Sequence, residues 1–227
     1  MTLNQKSALA SLLLCLSMLA ACHSSRREAQ TVSPAPVPSD TSGLLETPSV
    51  ARDLGQLPDW TAYMSRNSSG TFRPQQFAFS EEDTVPLLQE HFFSPKDWAV
   101  YKRYLKYSPD SSYALDLYSY GTIPVRDSDG RVHLEGGDPD DEVALLNLKT
   151  GTRMRLLFSG PGTTYQDAKW LNDSVAIISG YSEFNDYQRM LPVVWRFNRS
   201  SRLLEVFQYR DSTFQATHLS SYVDSLH

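Results

Sequence analysis

Apolar and polar residues alternate over much of the chain after residue 106, which is the period of a β-strand with one buried face. The alternation is clear over 153–158 and again over 193–198. Residues 175–178 (Val-Ala-Ile-Ile) are instead apolar on both faces, which favours a strand in the middle of a sheet. This part of the chain is therefore predicted to be mainly β.

Turn residues separate these runs and indicate antiparallel sheets. Residues 108–110 (Ser-Pro-Asp) predict a tight turn, because proline fixes φ and aspartate bonds the backbone ahead of it. Residues 127–130 (Asp-Ser-Asp-Gly) carry the Asp-Gly signal of a β-hairpin. Residues 149–152 (Lys-Thr-Gly-Thr) predict a further turn between two strands.

Helical signals precede these strands. Residues 80–83 (Ser-Glu-Glu-Asp) resemble a capping box, although Pro86 leaves room for only a first helical turn. Ser94 and Pro95 predict the start of a second helix, and apolar residues of 98–105 then share one helical face. We therefore expect a short helical cover at the N-terminal side of the β-rich region.

The stretch before Trp60 differs in composition. Residues 23–58 are rich in serine and proline and contain no aromatic residue. Such a segment buries too little apolar surface to offset the entropy cost of ordering. We predict a disordered, semi-extended tether over 22–58 and a globular β-rich domain over 59–227.

The first 21 residues have the layout of an export signal. Lys6 is followed by an apolar run over 7–19, which is shorter than the roughly 20 residues that a membrane-spanning helix needs. The run ends in Leu-Ala-Ala-Cys at 19–22. This ending resembles the signal of bacterial lipoproteins. An ordinary signal peptide or a short membrane anchor, with an incidental cysteine, is the alternative.

The lipoprotein resemblance has consequences for location. It implies cleavage after residue 21, a diacylglycerol on the sulfur of Cys22 and an acylated amine. Several acyl chains anchor a protein stably, where one would bind only marginally. His23, rather than aspartate, follows the cysteine. By the same resemblance this favours the outer membrane of a bacterial cell envelope.

Charge and cysteine content narrow the classes of function. The chain has a formal charge of −5, and removal of 1–21 takes away one lysine and no acid, so the mature chain is one unit more negative. A net acidic protein without a basic stripe is not expected to bind nucleic acid. The two cysteines are Cys15 and Cys22, so the mature domain is expected to have no disulfide and no thiolate zinc site.

Four stretches resemble parts of β-propeller blades of the WD40 or TolB type. Residues 107–113 (Tyr-Ser-Pro-Asp-Ser-Ser-Tyr) are similar to the turn that opens a blade, and 147–151 (Asn-Leu-Lys-Thr-Gly) to a hairpin between outer strands. Residues 167–173 and 195–198 are similar to parts of a following blade. The resemblance covers 107–209 and amounts to two blades, whereas a closed propeller has four to eight. We therefore expect either two blade-like sheets packed on each other or one open sheet capped by the helical part.

An acidic run is the candidate metal site. Residues 135–142 contain five carboxylates in eight positions, and oxygen ligands of this kind bind hard cations such as Ca²⁺. The candidate ligands are Asp138, Asp140, Asp141 and Glu142. Their spacing is not that of an EF-hand, and the alternative is a solvated loop between strands.

A second candidate site is the aromatic stretch 181–188. Tyr181, Phe184 and Tyr187 alternate there with amide and acidic side chains, a combination suited to contacts with a sugar or a peptide. Packing of these rings against a sheet is the alternative.

No catalytic residue and no cofactor is predicted, because the chain contains no Gly-x-Ser-x-Gly, His-Glu-x-x-His or P-loop pattern. We expect a membrane-anchored envelope lipoprotein whose domain acts as a binding or assembly module for an envelope protein or glycan. The alternative is an envelope glycan hydrolase that uses loop carboxylates such as Asp138 and Asp141. A purely structural spacer is a third possibility.

Overall fold

Antiparallel strands dominate the computed structural model, which describes residues 50–86, 89–91, 98–184, 189–211, 213–216 and 222. The helical segments are α1 (50–54), α2 (Pro58–Arg66) and α3 (Trp98–Tyr101), with 3-10 turns at Pro74–Gln76 and Lys102–Tyr104. The strands are β1 (Ser68–Ser69), β2 (Phe77–Thr84), β3 (Gln89–His91), β4 (Lys106–Tyr107), β5 (Tyr113–Asp116), β6 (Thr122–Arg126), β7 (Val132–Gly136), β8 (Asp141–Asn147), β9 (Thr152–Ser159), β10 (Thr163–Trp170), β11 (Val175–Phe184), β12 (Arg189–Asn198), β13 (Leu203–Tyr209) and β14 (Gln215–Ala216).

Most of these strands belong to two five-stranded sheets. The first sheet has the order β10-β11-β12-β13-β2, and the second has the order β3-β9-β8-β5-β4. The hairpin β6-β7 and the pair β1-β14 stand apart from both. All neighbouring strands are antiparallel, so the predicted mainly β, antiparallel fold is confirmed. Among the described strands the sheets are open, and no closed barrel or propeller is found.

The core has two layers of apolar contacts, one on each face of the first sheet. On one face, Ile178 and Trp195 pack in a cluster with Leu115 and Leu145 of the second sheet. On the other face, residues of α1 and α2 pack in a separate cluster with residues of β11, β12 and β13. The first sheet is therefore buried on both sides, which explains why 175–178 is apolar throughout.

The turns predicted from local chemistry are present. In the β6-β7 hairpin, the Asp127 amide donates to the carbonyl of Arg131 at 2.8 Å, and Gly130 has a φ of +87°. Between β8 and β9, the Asn147 side chain accepts from two following amides, and Gly151 has a φ of +66°. In the turn after β4, the Ser108 hydroxyl donates to Asp110 at 2.7 Å.

The predicted helical turn over 80–83 is wrong, because these residues belong to β2. They pair with β13, where Glu81 lies opposite Val206 and Glu82 opposite Glu205. Backbone pairing with a long neighbouring strand outweighs the local capping signal. The charged side chains lie on an edge strand, where they discourage pairing with other chains.

The predicted helix after Ser94 is present in part. Residues 98–101 are α-helical and continue into a 3-10 turn, whereas its predicted start at 94–95 lies outside the described residues. None of the described helices has the length and apolar content that a membrane crossing requires.

Part of the predicted tether belongs to the folded core. Val50, Leu54 and Leu57 are nearly inaccessible to solvent and pack against Trp60 and the helix-facing side of the first sheet. Their spacing of four and three places them on one side of a helical segment, a local signal that the Pro- and Ser-rich average of 23–58 conceals. The packed region therefore includes residues 50–58, while residues 1–49 lie outside the described ranges.

Truncation of Leu54 tests this assignment. Leu54→Ala should lower the free energy of unfolding by about 2–5 kcal/mol, since it removes a fully buried leucine and leaves a cavity. Gln56→Ala, two residues away and exposed, should change it by less than about 0.5 kcal/mol. Urea unfolding followed by tryptophan fluorescence measures both. Equal small effects would show that 50–57 does not pack on the sheet.

Candidate functional site

A cleft of about 290 Å³ lies beside β10, the edge strand of the first sheet. Its acidic side chains are Asp138, Asp140 and Asp141. Its aromatic side chains are Tyr118, Tyr165, Tyr181 and Tyr222. We call it the aspartate–tyrosine cleft. Among the described residues that line it, there is no lysine, arginine or histidine.

The acidic loop between β7 and β8 is held against the chain segment that enters β6. The amide of Gly137 donates to the carbonyl of Gly121 at 3.0 Å. A β-carbon at Gly121 would lie only 3.0 Å from the carbonyl oxygen of Asp140, so the glycine permits this close approach. Within the loop, the amide of Asp140 donates to the carboxylate of Asp138 at 3.0 Å.

Asp141 connects the acidic loop to the first sheet. Its Oδ2 accepts from the amide of Tyr165 at 3.0 Å, and its Oδ1 accepts from the amide of Glu142 at 3.1 Å. Burial raises the pKa of the Asp141 carboxyl to about 6, against the opposing effect of these two hydrogen bonds. The cleft therefore contains a carboxyl group that changes charge near neutral pH.

Glu142, the fourth residue of the predicted metal site, does not face the cleft. Its side chain is buried and forms ion pairs with Arg153 and Arg155 across β8 and β9. Over the described ranges, no group of three or more histidine, cysteine or acidic residues is placed to hold a metal ion. The structure thus brings Asp138, Asp140 and Asp141 together at a cleft and separates Glu142 from them.

Of the three residues of the second candidate site, only Tyr181 has a side chain in the described part of the structure. This residue lies in β11 and lines the aspartate–tyrosine cleft, so the two patches that the sequence analysis treats separately meet there. Phe184 ends β11, but its side chain is outside the described part of the structure, as is the whole of Tyr187.

Gln166 is a cleft residue that the sequence analysis misses. It is the extra residue of a β-bulge in β10, because Tyr165 pairs with Gly180 and Asp167 with Ser179. A β-carbon on Gly180 would lie 1.9 Å from the carbonyl oxygen of Thr164. A glycine shortly after the apolar run 175–178 is the sequence signal that could have indicated this bulge.

The side chain of Gln166 is buried and binds two residues of α2. The Trp60 indole N–H donates to its Oε1 at 3.0 Å, and the Tyr118 hydroxyl donates to its backbone carbonyl. Its exposed fraction is 2 %, and it also hydrogen-bonds the side chain of Tyr63. Gln166 thus joins α2 to the strand that borders the cleft.

Asp167, the next residue, binds Lys106 and the cleft-lining Tyr222. Its carboxylate pairs with the Lys106 ammonium at 2.6 Å and accepts from the Tyr222 hydroxyl at 2.7 Å. Burial first, and then the charge of Asp167, raise the pKa of Tyr222. Tyr222 therefore remains a neutral hydrogen-bond donor and closes one side of the cleft.

Apolar side chains lie exposed next to the cleft. Tyr120 precedes the lining residue Gly121, and its ring contacts that of Phe158 at a centroid distance of 5.7 Å. Tyr120, Ile123 and Phe158 are between 40 % and 52 % exposed. Tyr120 and Ile123 thus adjoin, along the chain, the lining residues Gly121 and Thr122.

Comparison with known proteins names no relative. No protein-family model, curated protein or solved structure matches this chain. The residues that line the cleft offer carboxylate acceptors and aromatic walls.

The raised pKa of Asp141 predicts a specific pH dependence of stability. An ordinary aspartate pKa is 3.8, so between about pH 4 and pH 6 the folded protein holds a proton on this group that the unfolded chain has lost. Stability contributed by the neutral carboxyl is complete below pH 4 and is lost as pH rises to about 6. The melting temperature of Asp141→Asn, relative to wild type, should therefore rise between pH 4 and pH 6 and level off above it.

The measurement is a series of thermal melts at matched ionic strength. A difference in melting temperature that is the same at every pH would reflect altered hydrogen bonds to Tyr165 and Glu142. Only the change of that difference with pH reports the titration of Asp141. Gln56→Ala, an exposed residue whose side chain does not titrate, serves as the control and should give a flat difference over the same range. A flat difference for Asp141→Asn as well would contradict the raised pKa.

Proposed function

We propose that this protein is a lipid-anchored bacterial envelope protein whose β-rich domain binds a small polar ligand in the aspartate–tyrosine cleft. The observation that supports binding is the convergence of Asp138, Asp140, Asp141 and Tyr181 on one concave site. Concave sites with aromatic walls and a few placed polar groups are typical of small-molecule binding. The ligand would come from an envelope glycan or an envelope protein.

The anchor in this proposal rests on the sequence. Lys6, the apolar run 7–19 and the Leu-Ala-Ala-Cys ending at 19–22 support lipidation of Cys22. The lipid would then hold the domain at a membrane, with the outer membrane favoured by His23.

The resemblance to propeller blades belongs to the same proposal. The consecutive strands β10, β11, β12 and β13 are neighbours in the first sheet in that order. A propeller blade is likewise a four-stranded antiparallel sheet. We infer a blade-like scaffold that serves to present the cleft, and the cleft rather than the scaffold carries the function.

Asp141 favours a second candidate function, hydrolysis of an envelope glycan. A carboxyl with a pKa of about 6 can donate a proton to a leaving oxygen near neutral pH. Asp138, in the same cleft, would act as the second carboxylate of such a pair. Binding remains the first proposal, because both oxygens of Asp141 already accept backbone hydrogen bonds that hold the carboxyl in the wall.

A variant that fills the cleft tests the binding proposal. Gly136 lines the cleft, and a β-carbon at this position meets no atom within 4 Å. Gly136→Trp should therefore fold and obstruct the cleft, whereas Glu135→Trp, its exposed neighbour in β7, adds the same bulk on the other face. Soluble envelope fragments retained after ultrafiltration are identified by mass spectrometry.

Fragments should be retained by the full chain and by Glu135→Trp, and lost with Gly136→Trp. Equal retention by both variants, or no retention by the wild-type protein, would contradict binding in this cleft. Under the hydrolase alternative, the retained fragments would be shortened over time, and Asp141→Asn would stop the shortening.

Lipidation has its own test. Cys22→Ser should move the protein from the membrane fraction to the soluble fraction of a bacterial host and abolish its labelling by an alkyne fatty acid, because the acceptor sulfur is gone. Cys15→Ser, in the apolar run, is the matched control and should leave both unchanged. Continued labelling of Cys22→Ser would exclude the lipoprotein assignment.

A further inference from the structure

A second pocket, of about 180 Å³, lies where the turns of two hairpins meet. One is the β8-β9 hairpin of the second sheet, and the other is the β12-β13 hairpin of the first sheet. We call it the arginine pocket, and its lining residues are Tyr113, Leu145, Asn147, Thr152, Met154, Arg199 and Arg202. No acidic side chain is among these described lining residues, and none of them lines the aspartate–tyrosine cleft.

The two turns have the same backbone design but differ at one position. In the β8-β9 turn, Asn147 accepts from the amides two and three residues ahead, and the fifth residue is Gly151, with a φ of +66°. In the β12-β13 turn, Asn198 accepts in the same way, and the fifth residue is Arg202, with a φ of +60°. Glycine is the usual residue in this left-handed conformation, because a β-carbon makes it unfavourable. Arg202 therefore stands where the matching turn of the same chain has glycine.

Arg202 places an uncompensated charge in the pocket. Its side chain is half-buried, and it forms no hydrogen bond or ion pair with a described residue. Residues held in a costly backbone conformation cluster at binding and active sites. The turn itself gives no reason for an arginine at this position, whereas the pocket does.

Arg199 brings a second guanidinium group to the same pocket in a fixed orientation. Its Cζ lies 4.3 Å from the centroid of the Tyr113 ring, and its Nε donates a long hydrogen bond, of 3.4 Å, to the carbonyl of Asp173. The carboxylate of Asp173 instead accepts from the amide of Asp110 at 3.0 Å. Among the described residues, no carboxylate forms an ion pair with Arg199.

We propose that the arginine pocket binds a phosphomonoester group. Two guanidinium groups match its charge, and their planar forks suit bidentate contacts with phosphate oxygens. Asn147 adds a donor, because its Nδ2 makes only a long contact, of 3.5 Å, with the hydroxyl of Tyr113 among the described residues. A carboxylate carries one charge and two oxygens, so it would serve one arginine and leave the other unpaired.

The phosphate group can belong to a soluble small molecule or to a lipid headgroup, and two probes separate these sources. Glycerol phosphate represents the first, water-soluble dihexanoyl phosphatidic acid represents the second, and acetate is the control anion. Isothermal titration calorimetry measures their binding to the full chain in a non-ionic detergent, at neutral pH and constant ionic strength. At least one phosphate probe should bind saturably and at least about tenfold more tightly than acetate. A preference for phosphatidic acid would assign the lipid headgroup, and a preference for glycerol phosphate the soluble molecule.

Variants then locate the site. Arg199→Gln and Arg202→Gln should each weaken phosphate binding at least about tenfold, since each removes a charged donor. Arg210→Gln is the matched control, because this exposed residue follows the opposite end of β13 and should change the affinity little. Arg202→Gly should also lose binding, yet melt at a higher temperature than Arg202→Gln, because glycine adopts the positive φ without strain. That pair of results separates loss of a ligand contact from loss of the fold.

Three results would overturn the proposal. One is the absence of saturable binding by both phosphate probes, and another is an affinity for acetate equal to theirs. The third is phosphate binding that survives both Arg199→Gln and Arg202→Gln, or that falls equally with Arg210→Gln. The arginine pocket is independent of the binding proposed for the aspartate–tyrosine cleft, so Gly136→Trp should leave phosphate binding unchanged.

Discussion

The bulge in β10 is the constraint on which the cleft depends. In a regular strand, side chains alternate between faces, so Tyr165 and Trp170 would lie on opposite sides of the sheet. The extra residue at 166 reverses the parity, and both rings join the cluster between the two sheets. Tyr165 can then form a cleft wall while its amide binds Asp141, and the Trp170 indole donates to the carbonyl of Lys106 at 2.8 Å.

This arrangement requires that backbone atoms approach closely opposite the bulge. Gly180 has no room for a β-carbon, which would lie 1.9 Å from the carbonyl oxygen of Thr164. The bulged side chain of Gln166 is in turn fixed by Trp60, 106 residues earlier in the sequence. The helices on the first sheet therefore do more than bury apolar surface, because α2 fixes the cleft-lining Gln166 through Trp60.

The sequence predicts features that depend on neighbouring residues. The hairpin turn at 127–130 and the apolar strand at 175–178 follow from φ preferences and side-chain period, and the structure contains both. Long-range contacts explain the two places where the structure differs from the prediction. The acidic residues of 80–83 enter a strand because β13 offers them backbone partners, and 50–57 folds because a distant sheet face receives its apolar side.

For the candidate site too, the sequence predicts the residue types but not the long-range contacts that bring them together. Acidic and aromatic patches are visible as residue types, but their meeting at one cleft depends on contacts such as that of Asp141 with the Tyr165 amide. The departure of Glu142 from the acidic group depends on two arginines in the adjacent strand. Neither pairing has a local signal, whereas Gly180, shortly after the apolar run 175–178, does mark the bulge that contains Gln166.

The distribution of charge within the fold argues that the cleft is a site rather than a by-product of packing. Several acids in the interior have basic partners: Glu142 pairs with two arginines, Asp167 with Lys106, and Glu205 with Arg196 at 2.8 Å. Asp116, also buried, instead accepts from the amides of Tyr118 and Ser119. A buried charge is costly unless it is compensated, and the fold supplies that compensation at each of these positions. Around the aspartate–tyrosine cleft, Asp138 is exposed and Asp140 and Asp141 are half-buried, and none of the three forms an ion pair with a described residue. The fold therefore concentrates negative charge at this concave surface.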